Sequence, residues 1–195
     1  MGGFVLLNGV GATLVFALFF LAGCLASQAG PQTGQGVVEA DSSACDLSFE
    51  RGLKIGQVPT DFSLFSTDGR NVTLSGFCGS GKLLIVNFYA SWCPFCPEEM
   101  RAFQKEFVKR QGQIDVLAIN LQEDAKVAGD FARAQGATYT VLLDPDSQAR
   151  RVFQVRSPPV TYFINSSGVI VEKRLGPLLE EEITEKIDSL LEGGA

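Results

Sequence analysis

The stretch Leu83-Leu84-Ile85-Val86-Asn87-Phe88-Tyr89-Ala90-Ser91-Trp92-Cys93-Pro94-Phe95-Cys96-Pro97 decides how the rest of the chain is read. Its first half is a continuous apolar run, bounded by Gly81-Lys82 before and Pro94 after, which predicts a buried strand. The run ends in Cys-x-x-Cys, and an amphipathic helix follows at once. Phe95, Met100, Phe103 and Phe107 fall close to one face at a period of about 3.6. Two thiols are therefore expected where a strand turns into a helix. Unpaired N–H groups and the positive end of the dipole favour a negative sulfur there. Cys93 is expected as the outer, N-cap-like thiol with a lowered pKa. Pro94 fits the first helical position, where its missing N–H would have been unpaired anyway. Cys96, one turn in, is placed to close the ring as the resolving thiol.

Half of a structural zinc site is the other use of such a pair. The chain has no His, so a closed site would have to recruit Cys45 and Cys78, which lie far upstream and do not form a second knuckle. The strand-to-helix context favours redox chemistry, and no metal is assigned.

Asn87-Phe88-Tyr89-Ala90-Ser91-Trp92-Cys93-Pro94-Phe95-Cys96, followed by Glu99, resembles the active-site segment of thioredoxin-like proteins. More narrowly, it is similar to the membrane-anchored TlpA/ResA-type thiol–disulfide reductases, over about residues 56–191. The resemblance implies a thioredoxin-like α/β fold, a central mixed sheet flanked by helices, with an N-terminal β-hairpin and one inserted helix. It implies a protein disulfide reductase with no cofactor beyond the redox-active Cys93–Cys96 disulfide. Its partners would be disulfide-bearing client proteins, apocytochromes c among them, and a membrane electron donor of the DsbD/CcdA type.

A length of 195 residues predicts one domain plus an extension. Apolar content of 46% is enough for an ordinary core, and a net charge of −6 without a basic stripe leaves no nucleic-acid footprint. The first charged side chain is Glu39, and Ala12 to Ala22 is a dense apolar core of signal-peptide length. It runs into Leu21-Ala22-Gly23-Cys24, which resembles the bacterial lipobox, where the Cys is lipidated and becomes the new N-terminus. The n-region departs from that pattern in having no Lys or Arg. An uncleaved membrane helix over residues 4–26 is the competing reading. Either way the domain is tethered to a cell membrane on the extracytoplasmic side. The expected organisation is a signal peptide or anchor at 1–24, a Gly/Pro/Ser-rich flexible tether at 25–50 and the thioredoxin-like domain at 51–195.

Five Cys is an odd count. If Cys24 carries lipid, four remain: Cys93 with Cys96, and Cys45 with Cys78 as a structural disulfide that oxidising surroundings permit. Two unrelated free thiols at 45 and 78 are the alternative.

Along the chain, Phe62, Leu64 and Phe65, then Asp68-Gly69, then Val72 and Leu74 read as a hairpin. The active-site helix is expected to run to about Gln111, and Ile114 to Leu121 to form the next strand. Asp124 to Gln135 reads as a helix with Val127, Phe131 and Ala134 inward. Alternation of strands and helices here implies parallel strands. Ser157-Pro158-Pro159-Val160-Thr161-Tyr162-Phe163-Ile164 resembles the cis-Pro loop of thioredoxin-like proteins, with Pro159 as the cis residue beside the disulfide, where substrate docks. A hairpin at Ser166-Ser167-Gly168 follows, and a final helix lines its buried face with Leu179, Ile183, Ile187 and Leu191.

Glu99 stands where the TlpA/ResA group commonly has a Glu proposed to handle protons, one turn from Cys96. Its other role is as an acidic residue favoured in a first helical turn. Asn87 occupies the place of the buried Asp of thioredoxin but cannot ionise, and is expected to be a satisfied polar group in the sheet. Trp92, Pro94 and Phe95 flank the thiols, as shield, docking surface and tuning residues of the ring.

Three rivals share these residues or this fold. A dithiol oxidase runs the same exchange backwards. A thiol peroxidase would need Pro at 86 and Thr or Ser at 90, where the chain has Val86 and Ala90. A metal-delivery module of this architecture uses Cys-x-x-x-Cys with a distant His, and the chain has neither.

Overall fold

The structure is a computed structural model. It describes Cys45 and residues 48–193, all within one of the two compact units into which the chain divides, Val37–Ala195. The signal or anchor segment, Cys24 and most of the expected tether lie outside the described residues.

A hairpin of β1 (Ser63–Ser66) and β2 (Asn71–Thr73) turns at Asp68-Gly69, where Gly69 takes the positive φ of 86° such a turn requires. Next come β3 (Leu83–Tyr89), α1 (Cys96–Lys109), β4 (Ile114–Leu121), α2 (Ala125–Ala134) and β5 (Thr140–Asp144). The chain closes with α3 (Gln148–Val152), β6 (Val160–Ile164), β7 (Ile170–Leu175) and α4 (Glu180–Glu192). One seven-stranded sheet results, in the order β2-β1-β5-β4-β3-β6-β7. β3, β4 and β5 run parallel, while β6 is antiparallel to β3 and β1 to β5, so the sheet is mixed.

β3 is buried at every residue, as its apolar run demands. Strand parity sorts its side chains between two cores. Leu83, Ile85 and Tyr89 pack with Met100 and Phe103 of α1 and Ile183 and Ile187 of α4. Leu84, Val86 and Phe88 face the other way, onto Phe62, Leu64, Phe153 and Tyr162. Burying one such large side chain contributes roughly 1.5–3 kcal/mol.

Four expectations are corrected. α1 starts at Cys96 rather than Pro94, with Phe95 as its N-cap, so Phe95 precedes the periodic face and is 56% exposed. The buried face of α2 is Ala128, Gly129 and Ala132, and Phe131 packs inward on Tyr89 as expected, while Val127 and Ala134 are exposed. A helix this close to the sheet selects small residues, which carry little hydrophobic signal. In α4 the buried leucine is Leu178, just ahead of the helix, and Leu179 is exposed as its N-cap. Cys45 falls within the span read as flexible tether, yet it is buried and bonded to Cys78.

Candidate active site

Cys93 and Cys96 are joined as a disulfide with Cα atoms 5.5 Å apart. The loop between β3 and α1 brings them together, and the Cys93 N–H closes it by donating to the Ala90 carbonyl at 3.2 Å. Cys96 is the first residue of α1, so the sulfurs lie at the helix N-terminus, where Glu98 and Glu99 also complement the dipole. Both Cys residues are buried, whereas Trp92 (65% exposed), Pro94 and Phe95 ring them at the surface.

Glu99 lies on the buried stripe of α1 with Cys96, Met100 and Phe103, and is itself 1% exposed. Asn87 shares the parity of Ile85 and Tyr89, which points its side chain at the same helix. Its Nδ2 donates to Glu99 Oε2 at 2.8 Å and to Thr161 Oγ1 at 3.0 Å, while Glu99 Oε1 accepts from the Leu178 N–H at 3.1 Å. Burial pushes the Glu99 carboxyl up to about 7, and the bonds from Asn87 and Leu178 and the charge of Arg174 oppose this without cancelling it. A carboxyl poised near neutrality one turn from Cys96 can take or return a proton as a thiol becomes a thiolate. Asn87 is not the satisfied group expected of it: its Oδ1 is buried without a partner.

The Pro158–Pro159 peptide bond is cis. Val160 pairs with Phe88, so Pro159 leaves β6 beside the end of β3 that leads to Cys93. The Pro159 carbonyl accepts from the Gly176 N–H at 3.0 Å. Cys45 and Cys78 are not part of this site. They are bonded with Cα atoms 5.0 Å apart ahead of β3, against Gly168 at the opposite end of the strand. Among the described residues no cluster of side chains could hold a metal ion, and no helix is long and apolar enough to cross a membrane.

Reading the sequence missed Glu123, whose carboxylate accepts from the Ser91 N–H and hydroxyl and from Asn120. Its partners are too far apart in sequence for any local pattern to join them.

A disulfide closed between the loop after a buried parallel strand and the first residue of the helix that follows defines a thiol–disulfide oxidoreductase of thioredoxin-like fold. The profile of the AhpC/TSA family matches residues 55–173, and the chain belongs to that family. It is 30% identical over 142 residues to the thioredoxin-like protein YneN of Bacillus subtilis, covering 71% of this chain and 82% of that one. It is likewise 30% identical over 146 residues to the thiol-disulfide oxidoreductase ResA of the same organism, covering 74% and 80%. The crystal structure of StoA from Bacillus subtilis superposes with a TM-score of 0.55 at 24% identity, over 66% of this chain and 96% of that one, a likeness of fold.

Proposed function

We propose that the protein is an extracytoplasmic, membrane-tethered reductase of client disulfides, with residues 1–24 as signal or anchor, a tether that ends ahead of the Cys45–Cys78 bond, and 51–195 as the catalytic domain. The observation that carries this reading is the placement of buried Glu99, held by Asn87 and Leu178, one turn from a Cys93–Cys96 pair at a helix N-terminus. In the dithiol form the Cys93 thiolate attacks a client sulfur, the client S–S bond breaks, and a Cys93–client mixed disulfide forms as the other client sulfur leaves and is protonated. Cys96 gives its proton to Glu99 and attacks Cys93 Sγ, closing the Cys93–Cys96 bond and releasing the second client thiolate. Two electrons pass from the protein to the client. A membrane dithiol donor of the DsbD/CcdA type returns them, so no bound cofactor is required.

Trp92, Pro94, Phe95 and Pro159 form the docking rim in this reading, and apocytochromes c are the clients that the TlpA/ResA likeness favours. Lipidation at Cys24 accounts for the tether. The names of the relatives, a thiol-disulfide oxidoreductase among them, support the chemistry but not the direction. Reduction potential decides direction. Measured on residues 25–195 with Cys45 and Cys78 changed to Ser, a value near or below about −250 mV is expected of a reductase. A value near about −120 mV would make the protein an oxidant of client thiols.

A further inference from the structure

Glu123 sits in the loop between β4 and α2, and the exchange chemistry above does not use it. Its half-buried carboxylate accepts from the Ser91 N–H at 2.8 Å, from the Ser91 hydroxyl and from Asn120 Nδ2 at 2.7 Å, while its own N–H donates to Asn120 Oδ1 at 3.2 Å. Asn120 is wholly buried and in register with Tyr89 on the neighbouring parallel strand, so it is a fixed post. Gln122, at a φ of 61° uncommon for a residue with a side chain, turns the chain so that Glu123 faces the active-site loop. Ser91 lies two residues before Cys93, in the irregular segment that carries it from β3 to α1.

We propose that Glu123 is a positioning residue for thiol–disulfide exchange, anchoring the Cys93 loop to the end of β4. This inference rests on the oxidoreductase reading above. Hydrogen bonds to an ionised acceptor are roughly twice as strong as neutral ones. Their value here depends on redox state. While the Cys93–Cys96 bond is closed, the ring itself holds Cys93 against α1. When it opens, that tie is gone, and the Glu123–Ser91 bonds remain to hold the loop carrying the attacking sulfur. Glu123 therefore acts on attack by the dithiol form, where a misplaced nucleophile costs rate. It has little to do when an outside thiol attacks the closed ring.

The test separates the two half-reactions in the full chain. Glu123→Gln preserves size and one acceptor, Glu123→Ala removes both acceptors, and Ser91→Ala removes the hydroxyl. Oxidised glutathione consumes the dithiol form, and dithiothreitol reduces the disulfide form. We expect Glu123→Gln to slow reaction with oxidised glutathione about tenfold while reduction by dithiothreitol stays within about twofold. The potential then rises by about 30 mV, the same tenfold expressed as an equilibrium. Ser91→Ala added to Glu123→Ala should slow the reaction no further. Equal slowing of both half-reactions, or of neither, overturns the inference. Circular dichroism of Glu123→Gln checks that the fold is retained, and a Gln variant that melts near the assay temperature marks Glu123 as merely structural, which also overturns it. A wild-type chain that fails to reduce glutathione disulfide at all overturns the functional reading instead.

Discussion

The two ends of β3 each carry a disulfide, and the pair differ in nearly everything but the bond. Cys93–Cys96 closes a ring across 3 residues, beside a poised carboxyl and two exposed aromatic rings. Cys45–Cys78 closes a loop of 33 residues, and its sulfurs pack on Gly168 next to a small, largely apolar cavity bordered by Leu74, Phe77 and Leu84. A short ring restrains the unfolded chain less, so opening it costs about 2 kcal/mol, which suits a bond broken in each turnover. A long loop restrains it about twice as much. Reactivity thus follows from span and surroundings rather than from the sulfur–sulfur bond.

Removing cysteines one pair at a time tests this contrast most severely. Cys93→Ser should abolish client reduction and lose about 2 kcal/mol in unfolding free energy. Cys45→Ser with Cys78→Ser should keep the exchange rate and lose about 4 kcal/mol in urea unfolding. If activity fell with the second pair, that bond would be part of the electron path and the division of labour would be wrong.

A smaller effect is expected from proton binding at the reactive end. An ordinary Glu titrates near 4.5, but Glu99 in the fold titrates at about 7. Between those values the folded protein holds a proton that the unfolded chain has lost. The stability from this site is whole below about pH 4.5 and is lost as pH rises through 7, a fall on the order of 3 kcal/mol. Glu99→Gln should flatten that part of the profile and unfold at higher urea than wild type at pH 8, with the two alike at pH 4. Parallel profiles for the two proteins would mean that Glu99 keeps an ordinary carboxyl pKa in the fold.

The least effect is expected at the structural end. Gly168 has a φ of 85°, and an added Cβ would lie 2.9 Å from Cys78 Sγ and 3.3 Å from Cys45 Sγ. Gly168→Ala should cost on the order of 1–2 kcal/mol for its backbone conformation, with a further loss from the clash. That further loss should shrink when Cys45 and Cys78 are already Ser, a coupling that urea melts of the four combinations would measure. An additive result would place the bridge clear of the turn.

What could be read from the sequence follows the reach of each signal. β3 and the thiols were legible because an apolar run, a Pro and a Cys-x-x-Cys are all local. The hairpin was legible from Asp68-Gly69 between alternating apolar residues. Helix faces were harder. Phe95 joined the periodic pattern of α1 although it stands ahead of the first turn, and Ala128 and Ala132 were outweighed by Val127 because close packing rewards small size, not hydropathy. Glu99 was located through the family likeness, but its raised pKa needed the burial that only α4 and Leu178 complete. The Glu123 anchor was illegible, since Ser91 and Glu123 are 32 apart and meet only through the β3–β4 register.

The paired prolines beside the dithiol leave an asymmetric edge. Neither Pro158 nor Pro159 has an N–H, and the Pro159 carbonyl is already engaged by Gly176. What the two prolines offer at that step is the Pro158 carbonyl, an acceptor with no N–H of its own residue to accompany it. On the docking proposed above, a client chain laid along this edge would give a hydrogen bond there and receive none from either proline. On that proposal discrimination between clients would fall to side chains, and a proline in the incoming strand opposite that carbonyl would forfeit the bond altogether.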